Sequence, residues 1–233
     1  MKIIIVGATG FVGSEILRQS LLRTDITSVV AVTRRALASS IQSQKLKNVV
    51  IKDYDQYDDD ARSAFKGADG CIWTIAITPS KSANHPWEEV VRVCQTSTMV
   101  GLRTMYEAGV GKPFRFVYMS GIAAERDQTK TPSFRPKYSL MRGETESQVL
   151  SFAAEHSMEA TAAKPGLITN PNNLAKRAFA GVLNLAVGLS SIYVGQIAAA
   201  MLDQVVKGIE KDPLLNDDLV KIAESVAKEG RMV

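Results

Sequence analysis

Short apolar runs rich in β-branched residues recur along the chain, and longer stretches with apolar residues at helical spacing separate them. Several of the short runs are apolar at consecutive positions, which is typical of parallel strands covered by helices on both faces. The pattern predicts six strands, over residues 2–6, 28–33, 48–52, 70–75, 114–119 and 159–163.

The stretches between these strands predict helices over residues 11–22, 36–44, 59–65, 87–108 and 138–156. Because strand and helix alternate, we expect an α/β fold, a doubly wound and mostly parallel sheet with right-handed crossovers. After Pro165 the pattern changes to helices alone, and no strand is expected between them. These tail helices are predicted over residues 172–189, 194–208 and 218–229, beside the carboxyl edge of the sheet.

Composition excludes several classes of protein. Of the 233 residues, 45% are hydrophobic and 22% are charged, which is too apolar for a disordered chain. Two cysteines are too few for a disulfide scaffold. The apolar runs over residues 3–6 and 182–189 are too short for a secretory signal or a membrane span. We therefore expect a soluble, cytoplasmic protein.

The charge balance is mildly basic. Lys and Arg number 28 against 24 Asp and Glu, a formal net charge of +4. The basic residues are scattered instead of forming a patch, so no nucleic-acid partner is predicted.

The first predicted strand runs directly into Gly7-Ala8-Thr9-Gly10-Phe11-Val12-Gly13, with three glycines spaced three apart, and then into a helix. The first glycine permits a sharp turn, the second a close approach to a pyrophosphate, and the third close packing of helix on strand. The amides and positive dipole end of the helix would hold the phosphates. A glycine-rich turn without a ligand is the alternative. The predicted cofactor-binding residues of the loop are Gly7, Thr9, Gly10, Phe11, Val12 and Gly13.

The residues that select NAD or NADP are expected at the end of the second strand. Arg34 and Arg35 stand there, and the sequence has no carboxylate at this place. Two guanidiniums suit the 2′-phosphate of NADP in charge and in geometry. Two solvated loop arginines are the alternative. Asp53, after the third strand, suits an adenine amino group or a cap of the following turn equally well. Thr74, after the fourth strand, should border the dinucleotide by topology.

With these residues the chain resembles the short-chain dehydrogenase/reductase superfamily, within its atypical, NmrA-like NAD(P)-binding branch. The resemblance implies a Rossmann-type fold and a bound dinucleotide. The family's catalytic pattern is a serine followed by Tyr-x-x-x-Lys. Ser120 and Tyr138 match it, whereas Arg142 stands where the family has lysine.

Tyr138 and Arg142 are four residues apart and share one face of a helix. A cation there is expected to lower the pKa of the phenol from its usual value of about 10. Ser120 would hydrogen-bond the substrate oxygen, and Arg142 would hold a ribose hydroxyl but would not relay a proton. The alternative is that this helix face serves only to pack against the sheet.

Lys164-Pro165-Gly166 resembles the family's Arg-Pro-Gly turn, where backbone groups meet the nicotinamide, so Pro165 is a predicted cofactor contact. A turn imposed by Pro-Gly alone is equally compatible with the sequence.

The histidines and cysteines indicate neither a metal site nor a nucleophile. His85 and His156 have no Cys or His at ligand spacing, so no metal site is predicted. Cys71 and Cys94 are expected to be small core residues.

We predict one domain over residues 1–233, with a cofactor-binding core over 1–165 and a helical substrate-side segment over 166–233. The expected function is an NADP-dependent oxidoreductase acting on a small hydrophobic carbonyl or enone, with Tyr138 as general acid and base. A non-catalytic NADP(H) sensor and an isomerase without net redox are the alternatives. The sequence indicates no oligomeric state. The hydrophobic substrate is inferred from apolar tail residues, namely Phe179, Leu183, Leu185 and Tyr193.

Overall fold

The computed structural model describes residues 1–170 and 190–231. Its main sheet has seven strands in the order β3-β2-β1-β4-β5-β6-β9, and every neighbouring pair is parallel. The predicted α/β, doubly wound parallel sheet is thereby confirmed. Its strands are β1 (Lys2–Val6), β2 (Ser28–Thr33), β3 (Leu46–Val50), β4 (Gly70–Trp73), β5 (Arg115–Met119), β6 (Glu159–Lys164) and β9 (Leu214–Leu215).

The described helices flank this sheet in the expected alternation. They are α1 (Phe11–Leu22), α2 (Asp59–Phe65), α3 (Pro79–Ser82), α4 (Trp87–Val91), α5 (Ser97–Glu107), α6 (Pro136–Glu155), α7 (Val194–Lys207) and α8 (Asn216–Lys228). The predicted helix over residues 87–108 is continuous in direction but contains a π-helical turn at Arg92–Thr96, between α4 and α5.

The predicted helix over residues 36–44 is wrong, because this stretch is irregular, with turns at residues 39–40 and 44. The amide of Leu37 donates to Asn48 Oδ1 at 3.0 Å, which ties this stretch to β3. Serines are frequent here, and their side chains compete with the backbone bonds of a helix.

Two apolar layers cover the sheet. On one face, Ile3 and Ile5 of β1 join a core with α1, α7 and α8. On the other face, Ile4 and Val6 join a core with α2, α5 and α6. Successive strand residues point to opposite faces, so Ile3–Val6 of β1 must all be apolar to serve both cores.

The expectation that the tail helices lie beside the carboxyl edge is wrong for α7. Its residues Ile197, Met201 and Val205 are fully buried in the first core, against the sheet face. Gln19 of α1 donates to the carbonyl of Gly195 at 3.0 Å, which ties α7 alongside α1. The reason is the wide apolar stripe of α7, which is buried only by a position on the sheet face.

The absence of strands after Pro165 is also a wrong prediction. β7 (Leu167–Thr169) and β8 (Ser191–Tyr193) form a separate parallel pair, and β9 extends the main sheet beside β6. Strands of two or three residues are too short for a periodic pattern to reveal them. The predicted helix over residues 172–189, with Phe179, Leu183 and Leu185, lies outside the described residues.

Across residues 1–170 and 190–231, no helix combines the length and the apolar content that a membrane crossing requires.

Candidate active site at the carboxyl edge of the sheet

The glycine loop has the tight geometry that its spacing predicts. Gly7 has a φ of +88°, and a Cβ there would lie 2.6 Å from Thr74 Oγ1. A Cβ on Gly13 would lie only 2.1 Å from the carbonyl oxygen of Gly7, so helix α1 touches the loop backbone directly. The amide of Gly10 donates to that same carbonyl at 2.8 Å and closes the turn. The loop thus tolerates no side chain at Gly7 or Gly13.

The first turn of α1 faces out of this loop. Gly10 is its N-cap and offers no side-chain acceptor, and no acidic residue occupies the turn. Thr9 and Phe11 are exposed, whereas Val12 packs into the first core. Backbone amides at such a helix start are open to an anion, and the helix dipole favours negative charge there. Loop and helix therefore fit the pyrophosphate of a dinucleotide.

Thr74 lies directly after β4 and is bound to the end of β1, immediately before the glycine loop. Its hydroxyl donates to the carbonyl of Val6 at 2.7 Å, and its amide donates to the same carbonyl at 3.0 Å. The strand order reverses between β1 and β4, and ligands of open parallel sheets bind in the crevice at such a point. Thr74 therefore borders the crevice that the topology predicts.

Arg34 and Arg35 are exposed immediately after β2. The Arg34 guanidinium lies 5.6 Å from the ring centroid of Tyr54. No carboxylate follows this strand directly in the sequence, so the assignment of both guanidiniums to a phosphate stays a prediction. Their charge and forked donors fit a phosphate monoester.

Asp53 lies after β3 with both carboxylate oxygens engaged. Oδ1 accepts from the amide of Tyr54 at 3.0 Å, and Oδ2 pairs with Arg92 Nη1 at 3.0 Å. Arg92 also pairs with Asp55 at 2.9 Å and with Glu89 at 2.7 Å. Of the two roles open to Asp53, the structure contains the local turn contact.

A stripe on α6, formed by Tyr138, Arg142 and Glu146, faces the carboxyl ends of the central strands. These residues are four apart, so their side chains project from one side of the helix. The Tyr138 hydroxyl donates to the carbonyl of Ile77, in the segment after β4, at 2.8 Å. Arg142 Nη2 donates to the carbonyl of Met119, the last residue of β5, at 2.6 Å. The helix spacing thus brings the predicted catalytic residues to one edge of the sheet.

Tyr138 is buried, with 8% of its surface exposed. Burial raises the pKa of the phenol to about 12, and the nearby Arg142 cation only partly opposes this. The expectation of a lowered pKa is therefore wrong, because loss of hydration outweighs the attraction of the guanidinium. The neutral phenol is the stable form throughout the physiological range.

Arg142 is buried beneath the site, with 4% of its surface exposed. Its guanidinium lies over the ring of Tyr118, 4.9 Å from the centroid. Its Nη1 is buried and has no hydrogen-bond partner among the described residues. Arginine is thus held by a ring face and one carbonyl, an arrangement that its flat, delocalised charge permits.

Ser120 is half-buried at the end of β5, and its hydroxyl donates to the carboxylate of Glu146. Glu146 is fully buried, and its second oxygen accepts from Arg126 at 2.7 Å and from Lys164 at 3.4 Å. The sequence analysis missed Glu146. Its position four residues after Arg142 was the available signal, since that spacing continues the same helix face.

The turn after β6 is tied to the loop after β5. The Pro165 carbonyl accepts from the amide of Ile122 at 3.0 Å, and Lys164 Nζ donates to the carbonyl of Ala124 at 2.6 Å. Lysine in place of the family's arginine thus holds the loop that carries Ser120. Within the described residues, no direct hydrogen bond joins Ser120 to Tyr138.

The remaining side chains that could bind a metal or act as nucleophiles form no second site among the described residues. Among the residues that the structure describes, no three His, Cys, Asp or Glu side chains are grouped to hold a metal ion. Cys71 and Cys94 are buried free thiols, and Cys94 Sγ accepts from the amide of Ile77 at 3.3 Å.

Solved structures of low sequence identity share this fold. UDP-glucose 4-epimerase of Thermotoga maritima aligns with a TM-score of 0.68 and 15% identity, covering 98% of this chain and 83% of its own. dTDP-glucose 4,6-dehydratase of Streptomyces venezuelae aligns with a TM-score of 0.70 and 15% identity, covering 98% and 81%. Vestitone reductase of alfalfa (Medicago sativa) aligns with a TM-score of 0.63 and 19% identity, covering 92% and 76%.

One curated sequence is similar over a short stretch. The leucinostatins biosynthesis cluster protein T of Purpureocillium lilacinum is 32% identical over 74 residues. This match spans 32% of the present chain and only 27% of the relative. The family model described as NAD(P)H-binding, in contrast, matches residues 7–207, from the glycine loop to the end of α7. The chain therefore belongs to the NAD(P)H-binding family, and it has a Rossmann-type fold.

Proposed function

We propose that this protein is an NADP(H)-dependent oxidoreductase that acts on a small hydrophobic carbonyl or enone in the cytoplasm. The observation that carries the cofactor choice is the pair of exposed guanidiniums, Arg34 and Arg35, which directly follow β2 where the sequence has no Asp or Glu. The exposed side chains of Ile122, on the loop after β5, and Tyr193, at the end of β8, support an apolar substrate.

Each part of the crevice has a role in this proposal. The amides at the start of α1 bind the pyrophosphate, and Arg34 and Arg35 bind the 2′-phosphate. The bound nicotinamide supplies the hydride or accepts it. Tyr138 donates its proton to the substrate oxygen, after exchanging its bond to the Ile77 carbonyl for a bond to the substrate. Because burial raises its pKa to about 12, the phenol keeps its proton at neutral pH and has it available for the substrate oxygen.

Cofactor choice is tested by fluorescence titration with NADPH and NADH. We expect the unmodified protein to bind NADPH about tenfold to a hundredfold more tightly, the worth of one charged hydrogen bond or two. Arg34→Ala combined with Arg35→Ala should remove this difference while leaving NADH affinity unchanged. Arg103→Ala, which removes an exposed arginine of α5, is the matched control. Tighter NADH binding by the unmodified protein would refute the assignment.

Catalysis is tested with a panel of carbonyl and enone substrates, followed at the absorbance of the reduced cofactor. Tyr138→Phe should abolish turnover and leave NADPH affinity intact. A Tyr138→Phe protein with full turnover would eliminate Tyr138 as the acid.

A second candidate is a protein that binds NADP(H) without net redox, as a sensor or an isomerase. The observation that favours it is that the hydroxyls of Tyr138 and Ser120 both donate to groups of the protein itself. Tight NADPH binding without oxidation across the whole panel would select this second candidate.

A further inference from the structure

The carboxylate of Glu146 determines what Ser120 can offer to a ligand. Glu146 is fully buried on α6, and Arg126 and Lys164 both donate to its Oε2. Oε1 is bonded to the hydroxyl of Ser120. A carboxylate in two ion pairs has only lone pairs to share, so the serine is the donor in this bond.

A serine hydroxyl has one hydrogen and two lone pairs. The hydroxyl hydrogen of Ser120 is donated in the hydrogen bond to Glu146, and the two lone pairs of the hydroxyl oxygen remain available. Ser120 is half-buried at the carboxyl end of β5, the edge of the sheet where the crevice lies, so we take its oxygen to face a ligand bound there. A ligand atom that meets this oxygen must therefore bring its own hydrogen.

We propose that Glu146 is a positioning residue that turns Ser120 into a hydrogen-bond acceptor toward the substrate. The site then prefers a hydroxyl over the bare carbonyl oxygen of the same carbon skeleton. This rests on the proposed function, in which the reacting oxygen lies beside Ser120. It assigns the two hydroxyls opposite roles: Tyr138 donates to the substrate, and Ser120 accepts from it.

Glu146→Gln tests the assignment because it reverses the direction of the hydrogen bond between Ser120 and residue 146. Arg126 and Lys164 can only donate, so they hold the amide oxygen of the glutamine on their side. The amide NH₂ then points to Ser120 and donates to its oxygen. Ser120 is left with a free hydrogen, which suits a carbonyl. Glu144→Gln, an exposed position on the same helix, is the matched control.

The probes are 4-fluoroacetophenone and 1-(4-fluorophenyl)ethanol, a ketone and an alcohol of one skeleton. Their binding is measured by ligand-observed fluorine NMR, with NADP⁺ present for the ketone and NADPH for the alcohol, so that neither pair reacts. We expect the unmodified protein and Glu144→Gln to bind the alcohol about fivefold more tightly, the worth of one net hydrogen bond. In Glu146→Gln the preference should reverse, and in Ser120→Ala it should disappear.

An equal preference in the unmodified protein and in Glu146→Gln would overturn the proposal, as would a preference that survives in Ser120→Ala. Binding of neither probe up to its solubility limit would overturn it too. Ser120→Ala leaves both ion pairs of Glu146 in place, so it tests the unmodified protein's preference even if Glu146→Gln does not fold. A failure of the proposed function has a different signature, which is loss of NADPH binding or of turnover. Fluorescence titration with NADPH in each variant therefore separates the two failures.

Discussion

Replacing Gly13 with alanine tests whether the contact between α1 and the glycine loop holds the cofactor crevice together. The new Cβ would lie 2.1 Å from the carbonyl oxygen of Gly7 and 2.8 Å from its carbonyl carbon. Both atoms belong to the backbone, so no side chain can rotate away. The helix or the loop must shift by about 1 Å to reach ordinary contact distance.

The size of the effect follows from two opposing contributions. Overpacking costs about 1 to 3 kcal/mol, and we take the upper value because the clash is with backbone. Gly13 is the third residue of α1, so alanine returns about 1 kcal/mol of helix propensity. The net loss is about 2 kcal/mol, or roughly 4–8 °C in Tm for a chain of this length. The displaced amides should weaken NADPH binding by about tenfold or more.

The control is Gly195→Ala in the first turn of α7, where the nearest atom to a new Cβ is 3.7 Å away. That variant should be neutral or slightly stabilised. Urea denaturation gives the free energy of unfolding, and fluorescence titration gives the NADPH affinity. If Gly13→Ala matched Gly195→Ala in both measurements, the close approach of α1 to the loop would not be a requirement of the site.

The pKa of Tyr138 and the ion pairs of Arg92 give two further predictions. Tyr138 has a pKa of about 12, above the usual 10, so the free energy of unfolding should fall as the pH rises from about 10 to 12. The unfolded phenol ionises first in that window, and urea denaturation of Tyr138→Phe should show a smaller fall; an equal fall would contradict the raised pKa. Arg92→Ala should cost about 1 kcal/mol or less, and less still at high salt, because its three ion pairs are partly exposed. A salt-independent loss of several kcal/mol in denaturation would contradict this.

Local patterns were sufficient for the central part of the fold. Runs such as Ile3–Val6 are apolar at every position because both faces of the sheet are covered, and this predicts a parallel strand without further information. The loop from Gly7 to Gly13 was predictable for a similar reason, since backbone turns and close approaches demand glycine at fixed spacing.

Local patterns failed where structure depends on distant partners. The two residues of β9 form a strand only because β6 offers its edge to them. The stretch over residues 36–44 does not form the expected helix and is instead tied to β3 by the bond from the Leu37 amide to Asn48. A sequence window that covers β9 does not contain β6, so its pattern cannot register their contact.

The sequence by itself determined the parallel strands, the glycine loop and the position of Arg34 and Arg35 after β2, because each depends on residues that are neighbours in the chain. Only the tertiary structure decided how the candidate catalytic residues are used. Burial raises the pKa of Tyr138 to about 12, and the carboxylate of Glu146 on α6 accepts the hydrogen bond that the Ser120 hydroxyl donates. Both effects arise from what surrounds a group in space, since hydration and hydrogen-bond partners exist only once helix and strand ends have been brought together.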